Sequence, residues 1–415
     1  MTDGYRYPEL PIYVHIPFCR RKCGYCDFYS LSSIDVQLQE QVIHNVLVQL
    51  EVLLNTLQPM RVPSVYIGGG TPNSLAPQLF KKLISGIDAL TIPFRKESLG
   101  FNPTFEWTVE LNPELITSEQ ISFLKESGVN RISVGIQSFS EEALKVIERN
   151  AGLDETLTGL ALVTKHWKER WNLDIITGLP QQTAAGAQRD IETAIGYEPT
   201  HISLYALTIE EHTPLEKRVQ AGRFSPQTAD NTAEILTLLW SILKLHGFEH
   251  YEVSNFARPK QESRHNLYYW RMKPYAGIGP GAVSTLRNSR GFPSRGQVPQ
   301  DIKRFAQSST PFTELTWEEL LPSQFMLEYL MMGLRTIPGI DTAVFRRIFG
   351  LDICKTLSET IRQQTALGRL RIHEVEGKTY LSVTEAGMML LDHILIQAAR
   401  EIEDIEPDLK WPLSF

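Results

Sequence analysis

Six short apolar runs occur in the first half of the chain, and most of them are followed by Gly, Pro or Asn. They are rich in Val, Ile, Leu and aromatic residues, as strands buried on both faces of a parallel sheet usually are. The predicted strands are Ile12–Ile16, Ser64–Ile67, Phe105–Leu111, Arg131–Ile136, Asn172–Thr177 and His201–Leu207.

Longer segments between and after these runs repeat apolar residues at helical spacing, as Val42, Val46 and Leu50 do. Ser118 is a candidate N-cap with Gly128 as the stop, and the last helix is expected to begin at Ser225-Pro226. The predicted helices are Ile34–Leu57, Pro77–Leu90, Ser118–Glu126, Glu141–Arg149, Asp154–Trp167 and Pro226–His246.

This alternation predicts an α/β fold. Strand–helix units in series imply right-handed crossovers and a parallel sheet. Six units instead of eight favour an incomplete, TIM-like (β/α)6 barrel, and an open doubly wound sheet is the alternative. In both arrangements, functional residues lie at the carboxyl ends of the strands.

The alternation stops near residue 300, so we predict one domain over residues 1–300 and another over 301–415. Predicted helices cover Leu315–Arg335, Asp341–Phe349 and Cys354–Leu367. The stretch "GRLRIHEVEGKTYLSVTEAG" then predicts two strands joined at Glu376-Gly377 and a helix from Glu385. This order resembles a winged helix, but the acidic tail "EIEDIEPD" argues against DNA binding and favours packing or partner contact.

Composition narrows the class of protein. Hydrophobic residues make up 42% and charged residues 21% of the chain, which is ordinary for a soluble globular protein. A net charge of −7 argues against a nucleic-acid binder. We find neither a signal peptide nor a run of about 20 apolar residues, so a cytoplasmic protein without membrane insertion is expected. Disulfides are disfavoured in that compartment.

Three of the four cysteines, Cys19, Cys23 and Cys26, lie within eight residues in the spacing C-x3-C-x2-C. Three thiolates on one loop suit a soft metal or an iron–sulfur cluster. A structural zinc site usually closes with four ligands, and no further Cys or His follows at a fitting distance. Three ligands would leave one iron of a four-iron cluster open to a reactant. The fourth cysteine, Cys354, is predicted to be a buried, inert thiol.

The cysteine motif resembles that of radical S-adenosylmethionine (SAM) enzymes. The longer match "YVHIPFC" resembles the branch of oxygen-independent coproporphyrinogen III oxidase and its heme-chaperone relatives. The resemblance extends over nearly the whole chain. It implies a [4Fe-4S] cluster on Cys19, Cys23 and Cys26, whose open iron chelates the methionine part of SAM. In these enzymes the reduced cluster cleaves SAM to a 5′-deoxyadenosyl radical, while the protein positions the cofactor.

Glycine and polar residues lie at or near the ends of the later strands. "GGGTP", Gly68 to Pro72, allows the backbone to approach a ligand closely. Glu110 and Gln137 end the third and fourth strands. Asp174 lies inside the fifth strand, where an unpaired carboxylate is costly. Arg149 on the preceding helix is one candidate partner, and a ribose or a second cofactor is another.

The resemblance assigns these positions to SAM. The positions that match contacts of the first SAM are Tyr13, Gly69 and Glu110. The positions that match the surroundings of a second SAM, found in the oxidase branch, are Gly70, Thr71, Gln137, Arg149 and Asp174. Whether a second SAM binds is open, and a purely structural Arg149–Asp174 ion pair is the alternative.

Three features favour the chaperone relatives over the oxidases. The oxidases carry a fourth cysteine where this chain has Phe28, and a longer segment before the first cysteine. The stretch "HNLYYW" resembles the H-N-x-x-Y-W motif assigned to heme binding in the chaperone branch. It implies heme contacts by His265, Asn266, Tyr269 and Trp270, with histidine as a usual axial ligand. A core aromatic cluster around a hydrogen-bonded histidine is the alternative.

The favoured function is therefore a heme chaperone that delivers heme to apo-hemoproteins, such as respiratory-chain proteins. The alternatives are an oxygen-independent coproporphyrinogen III oxidase and a radical SAM enzyme with another substrate. The resemblance also implies a homodimer, and a reductant such as flavodoxin or ferredoxin if SAM is cleaved.

Overall fold

A nine-stranded sheet forms the centre of the structure, a computed structural model that describes residues 6–32, 35–95, 105–310, 315–405 and 409. Its strands are β1 (Ile12–Ile16), β2 (Ser64–Gly69), β3 (Glu106–Leu111), β4 (Arg131–Gln137), β5 (Arg170–Thr177), β6 (His201–Ala206), β7 (Glu249–Glu252), β8 (Asn255–Ala257) and β9 (Ala276–Ile278). All six predicted strands are confirmed.

The order of the strands decides between the two predicted arrangements. It runs β9-β1-β2-β3-β4-β5-β6-β8-β7, with β9 through β6 parallel and β8 and β7 antiparallel to their neighbours. A doubly wound sheet reverses direction at a switch point, whereas β1 to β6 follow one another without reversal. The sheet ends at β9 and β7, which do not pair with each other. The fold is therefore a partial barrel with one open side.

Helices pack around this sheet. They are α1 (Val36–Leu57), α2 (Pro77–Thr91), α3 (Ser118–Glu126), α4 (Glu141–Val146), α5 (Leu153–His166), α6 (Ala184–Gly196), α7 (Pro214–Gln220), α8 (Ala229–Leu245) and α9 (Arg264–Trp270). Helices α6, α7 and α9 were not predicted. Ile34, where the first predicted helix begins, lies outside the described residues.

One predicted cap and two predicted helix ends are wrong. Thr117, not Ser118, caps α3, because its hydroxyl accepts a hydrogen bond from the Gln120 amide at 3.1 Å. Helix α8 begins after Thr228, three residues later than the predicted Ser225 cap. Helix α4 ends at Val146, so Arg149 lies on the loop beyond it.

The remaining elements follow β9. They are β10 (Val283–Arg287), β11 (Pro293–Gln297), α10 (Ile302–Gln307), β12 (Thr316–Glu319), α11 (Pro322–Gly333), β13 (Ile340–Asp341), α12 (Thr342–Phe349), α13 (Ile353–Thr356), α14 (Ser358–Ala366), β14 (Leu370–Val375), β15 (Lys378–Val383), α15 (Glu385–Met388) and α16 (Leu391–Ile405). The hairpin at Glu376-Gly377 and the helix from Glu385 are confirmed, although residues 406–408 of the acidic tail lie outside the described residues.

Two predicted C-terminal helices are corrected. The segment Leu315–Arg335 is not one helix, since Thr316–Glu319 pairs as a strand with Pro293–Gln297 and α11 begins only at Pro322. The segment Cys354–Leu367 is broken at Leu357, whose backbone leaves the helical region. Cys354 is half-buried, not buried.

One hydrophobic core joins the barrel to the C-terminal elements. Its buried members include Trp107 on β3, Phe325 on α11 and Ile394 on α16. Asn45 on α1 adds a polar link, donating from its side-chain amide to the carbonyl of Phe305 at 2.6 Å. The domain boundary near residue 300 stays a prediction. Among the described helices, none is long and apolar enough to cross a membrane.

Candidate functional site

The three-cysteine loop is held against the helices at the carboxyl ends of the strands. Cys19 belongs to a two-residue strand, Phe18–Cys19, which pairs with Leu31–Ser32. The Gly24 amide donates to the Ile147 carbonyl at 2.8 Å, and the Gly24 carbonyl accepts from the Leu215 amide at 2.8 Å. Cys19 and Cys23 are buried, Cys26 is half-buried, and all three are free thiols.

The predicted Gly-rich loop packs directly on Cys19. The Thr71 hydroxyl lies 3.6 Å from the Cys19 sulfur and donates toward it. A Cβ at Gly70 would lie 3.0 Å from that sulfur and 2.5 Å from the Phe18 carbonyl oxygen. Only glycine fits here without movement of the backbone, so β2 brings a bare stretch of backbone against the first cysteine.

Arg149 contacts the second cysteine. Its Nη1 donates to the Cys23 sulfur at 3.4 Å, and its Nη2 donates to Asn112 Oδ1 at 2.9 Å and to the Gly135 carbonyl at 2.6 Å. Glu148 terminates the preceding helix in a left-handed conformation, with φ of 52°. A cationic donor stabilises thiolate sulfur, so Arg149 acts on the cysteine loop.

These features fit an iron–sulfur cluster. Burial raises the pKa of Cys26 to about 11 and also raises the pKa of Cys19, so cluster binding must release protons from both thiols. In the described part of the chain, no three His, Cys, Asp or Glu side chains lie close enough to hold a single metal ion. A four-iron cluster binds each thiolate to a different iron and needs no such convergence.

Glu110 lies next to the Gly-rich loop. Its carboxylate accepts from the Tyr66 hydroxyl at 2.8 Å and from the Gly69 amide at 3.2 Å. Burial, and then the negative charge of Asp174, raise the pKa of Glu110 to about 7. A Cβ at Gly68 would lie 2.7 Å from this carboxylate, so a larger residue there would push the Glu110 side chain aside.

Two other predicted SAM positions are Gln137, at the carboxyl end of β4, and Tyr13, near the amino end of β1. Gln137 is buried and has a φ of 74°, a left-handed conformation that few non-glycine residues adopt. Such strain often marks a functional site. Tyr13 on β1 contacts His15, with 2.9 Å between the hydroxyl and Nδ1.

Asp174 is satisfied without Arg149. Its two carboxylate oxygens accept from Ser133 at 3.1 Å and from Asn172 at 2.8 Å. Burial raises its pKa despite these hydrogen bonds. The ion pair considered from the sequence is not formed, because the guanidinium is engaged by Cys23, Asn112 and Gly135.

The H-N-x-x-Y-W segment forms α9, whose start is fixed by β3. Glu106 is fully buried and accepts from the amides of Arg264 at 3.1 Å and His265 at 2.9 Å. His265 is 1% exposed. Its Nδ1 lies 2.9 Å from the Ser64 hydroxyl and its Nε2 lies 2.7 Å from the Tyr269 hydroxyl. Burial lowers the pKa of His265 to about 3, so the ring is neutral.

A cavity of about 580 Å³ lies at the open side of the barrel. It is lined by Glu252 on the edge strand β7, by Tyr13 on β1 and Tyr205 on β6, and by α11. Three residues of the α9 motif face it: Asn266, Tyr269 and Trp270. His265 is not among the described residues that line it, and it supports Tyr269 from behind.

Sequence reasoning missed several residues of these sites. Ser64, Tyr66 and Glu106 hold the α9 histidine or Glu110, yet each lies in a strand pattern that predicts only a core. Their polar side chains within buried runs were the available signal. Lys273 and Arg295, which add positive charge to the cavity wall, carried no sequence signal.

Comparison with known proteins places this geometry in a family. The Radical SAM superfamily model matches residues 13–194, and the HemN C-terminal domain model matches residues 320–390. The fold and the cysteine loop thus define a radical SAM protein, a class that implies a [4Fe-4S] cluster and SAM.

Curated relatives narrow the family. The heme chaperones HemW of Bacillus subtilis (strain 168) and Escherichia coli (strain K12) are 31% and 30% identical to this chain. These matches cover 91% and 94% of this chain and 96% and 98% of the relatives. HemW of Synechocystis sp. is 34% identical over 86% of this chain and 85% of its own length. The chain belongs to the HemW family.

A solved structure is similar in fold. Coproporphyrinogen III oxidase (HemN) from Escherichia coli superposes with a TM-score of 0.75 over 95% of this chain and 91% of that chain. Sequence identity is 20%, so this likeness supports the partial barrel and its C-terminal extension and nothing finer.

Proposed function

We propose that this chain is a heme chaperone that holds heme in the cavity at the open side of the barrel and delivers it to apo-hemoproteins. The observation that carries the proposal is the placement of Asn266, Tyr269 and Trp270 in one cavity wall. A volume of about 580 Å³ lies in the range of pockets that enclose small ligands. Aromatic rings offer flat apolar surface to a macrocycle, and Lys273 offers charge to its carboxylates.

The cluster and SAM belong at the carboxyl ends of the strands. Cys19, Cys23 and Cys26 would bind three irons, with Thr71 and Arg149 donating to the sulfurs. When bound and reduced, such a cluster supplies an electron to the SAM sulfonium. The loop from Gly68 to Thr71 and Glu110 would hold the first SAM.

Residues assigned to a second SAM lie close to the first site. Gly70 and Thr71 contact Cys19, Arg149 contacts Cys23, and Asp174 raises the pKa of Glu110. Occupancy by one or two SAM molecules stays a prediction. The cytoplasmic location, the homodimer, the respiratory recipients and a flavodoxin- or ferredoxin-type reductant also stay predictions.

The proposal is tested on full-length protein purified without oxygen and reconstituted with iron and sulfide. Heme is titrated and followed by absorbance, and the loaded protein is then mixed with an apo-hemoprotein. We expect one heme per chain and its transfer to the acceptor. Trp270→Ala should weaken binding. Tyr268→Phe is the matched control, because the Tyr268 hydroxyl donates to Glu9.

The same preparation tests the oxidase alternative. It receives SAM, a reductant and coproporphyrinogen III. At the position of the oxidases' fourth cysteine this chain has Phe28, which is 68% exposed. We expect no protoporphyrinogen. Its steady formation, or the absence of heme binding, would overturn the chaperone proposal.

A further inference from the structure

In this structure, the motif histidine, His265, is not positioned to ligate the iron of bound heme. Both ring nitrogens of His265 have partners, Ser64 at 2.9 Å and Tyr269 at 2.7 Å, and the side chain is 1% exposed. Ligation through Nε2 would break the hydrogen bond to Tyr269 and would require the Tyr269 ring, which lies between His265 and the cavity, to leave the wall. The ligand must therefore be sought among the side chains that face the cavity, an inference that rests on the proposed function.

Three oxygen donors of the wall, those of Tyr269, Glu328 and Glu252, are already engaged. The Tyr269 hydroxyl contacts His265, and Glu328 accepts from Arg295 at 2.9 and 2.6 Å. Glu252 accepts from the Ser254 amide at 3.1 Å and from the Asn255 side chain. Each would have to give up a buried hydrogen bond, and a phenol would also lose its proton, before binding iron.

Methionines are concentrated in the same wall. Of the eight in the chain, Met272, Met331 and Met332 line this cavity. Met331 and Met332 are adjacent on α11, opposite the motif helix, and both are half-buried. Met272 and Met331 also pack against the hydrophobic core. A thioether binds heme iron through a sulfur lone pair, with no proton to release.

We propose that the Met331–Met332 pair of α11 supplies the axial thioether to heme iron, while His265 acts as a positioning residue that holds Tyr269 in the opposite wall. The step forms one coordinate bond from sulfur to iron, breaks no covalent bond and moves no electron. A thioether is a weak ligand that an imidazole of an acceptor can replace. It also raises the reduction potential of the heme.

The test compares heme-loaded full-length variants. Met331→Leu, Met332→Leu and the double variant conserve volume, so the fold should persist, as thermal unfolding will verify. Met326→Leu is the control, since Met326 lies on the same helix but is fully buried in the core. Readouts are magnetic circular dichroism, the heme midpoint potential, and the rate of heme loss to an excess of apo-hemoprotein.

We expect the double variant to lose the thioether signature, to show a lower midpoint potential and to release heme about tenfold faster or more. The Met326→Leu variant should match the wild type. Wild-type protein that binds no heme would contradict the proposed function itself. Heme binding with an unchanged spectrum in the double variant would overturn only the ligand assignment, as would loss of the signature confined to Met272→Leu, Tyr269→Phe or His265→Gln.

Discussion

Position 70 admits no side chain in this structure, because a Cβ would meet both the Phe18 carbonyl oxygen and the Cys19 sulfur. Gly70→Ala should therefore displace the loop from Cys19 and lower the iron and sulfide content after anaerobic reconstitution to less than about half of the wild-type value. Gly196→Ala is the control, since a Cβ there would have open space around it. Equal iron content in the two variants would contradict this packing argument.

Glu110 should give stability a pH dependence of its own. Its pKa rises from 4.5 to about 7 on folding, so the folded protein holds a proton that the unfolded chain has lost between these values. The contribution is fully present below pH 4.5 and declines through pH 7, by up to about 3 kcal/mol. Glu110→Gln should remove this decline, so the free energy of unfolding of the variant should rise relative to that of the wild type as pH increases.

The measurement is chemical unfolding of the cluster-free protein between pH 5 and pH 8, a range that brackets the titration of Glu110. Glu51→Gln, on the exposed face of α1, serves as the control. If the difference between Glu110→Gln and wild type stayed constant across this range, the raised pKa would be wrong.

Helix α9 depends on a carboxylate from another element. Glu106 on β3 accepts from the first two amides of α9 and also pairs with Arg170 at 3.1 Å. Glu106→Gln should cost about 1–2 kcal/mol and weaken heme binding, because α9 carries the motif. Cluster content should not change, since the cysteine loop lies at the other end of the strands.

Asp301→Ala gives the matched comparison for α9, since alanine removes the capping oxygen. Asp301 caps α10 by accepting from the Arg304 amide at 3.0 Å, and it does not line the cavity wall. Urea unfolding should show a loss of stability in both variants, whereas heme titration should separate them. Equal heme affinities would mean that Glu106 supports the fold alone.

The sequence predicts an element well when interactions between nearby residues determine its bounds, and poorly when tertiary packing does. The bounds of β1 and α3 follow from short-range pattern and were predicted residue for residue. The start of α8 was not, because Ser225 and Thr228 are both good caps and only tertiary packing selects between them. Helix α6 was not predicted, because its sequence "AAGAQRDIETAIG" is rich in small residues and weakly apolar.

The sites divide in the same way. The cysteine loop was predictable because its three ligands are adjacent in sequence. The cavity was not, because its walls combine Tyr13 with residues near positions 252, 270 and 331. The burial of His265 likewise depends on Ser64 and Tyr66, which lie 200 residues earlier and reach it only through the barrel.

At the scale of the whole molecule, bound heme should stabilise both halves of the chain. The cavity is walled by the barrel edges and α9 on one side and by α11 on the other, and Arg295 is bonded to Glu328 across that junction. Hydrogen exchange with and without heme should show slower exchange in α9 and α11 together, with α2 unchanged. Protection confined to the barrel would place the heme elsewhere.

The open side of the barrel bears on how heme enters and leaves the protein. In a closed barrel, a ligand reaches the interior only along the barrel axis, past any molecule bound at the end of the strands. Here β9 and β7 do not pair with each other, and the cavity is lined by residues from both ends of the sheet order. We therefore expect heme in this cavity to leave sideways toward a docked acceptor while SAM stays bound at the carboxyl ends of the strands. Release of heme should then not require exchange of SAM.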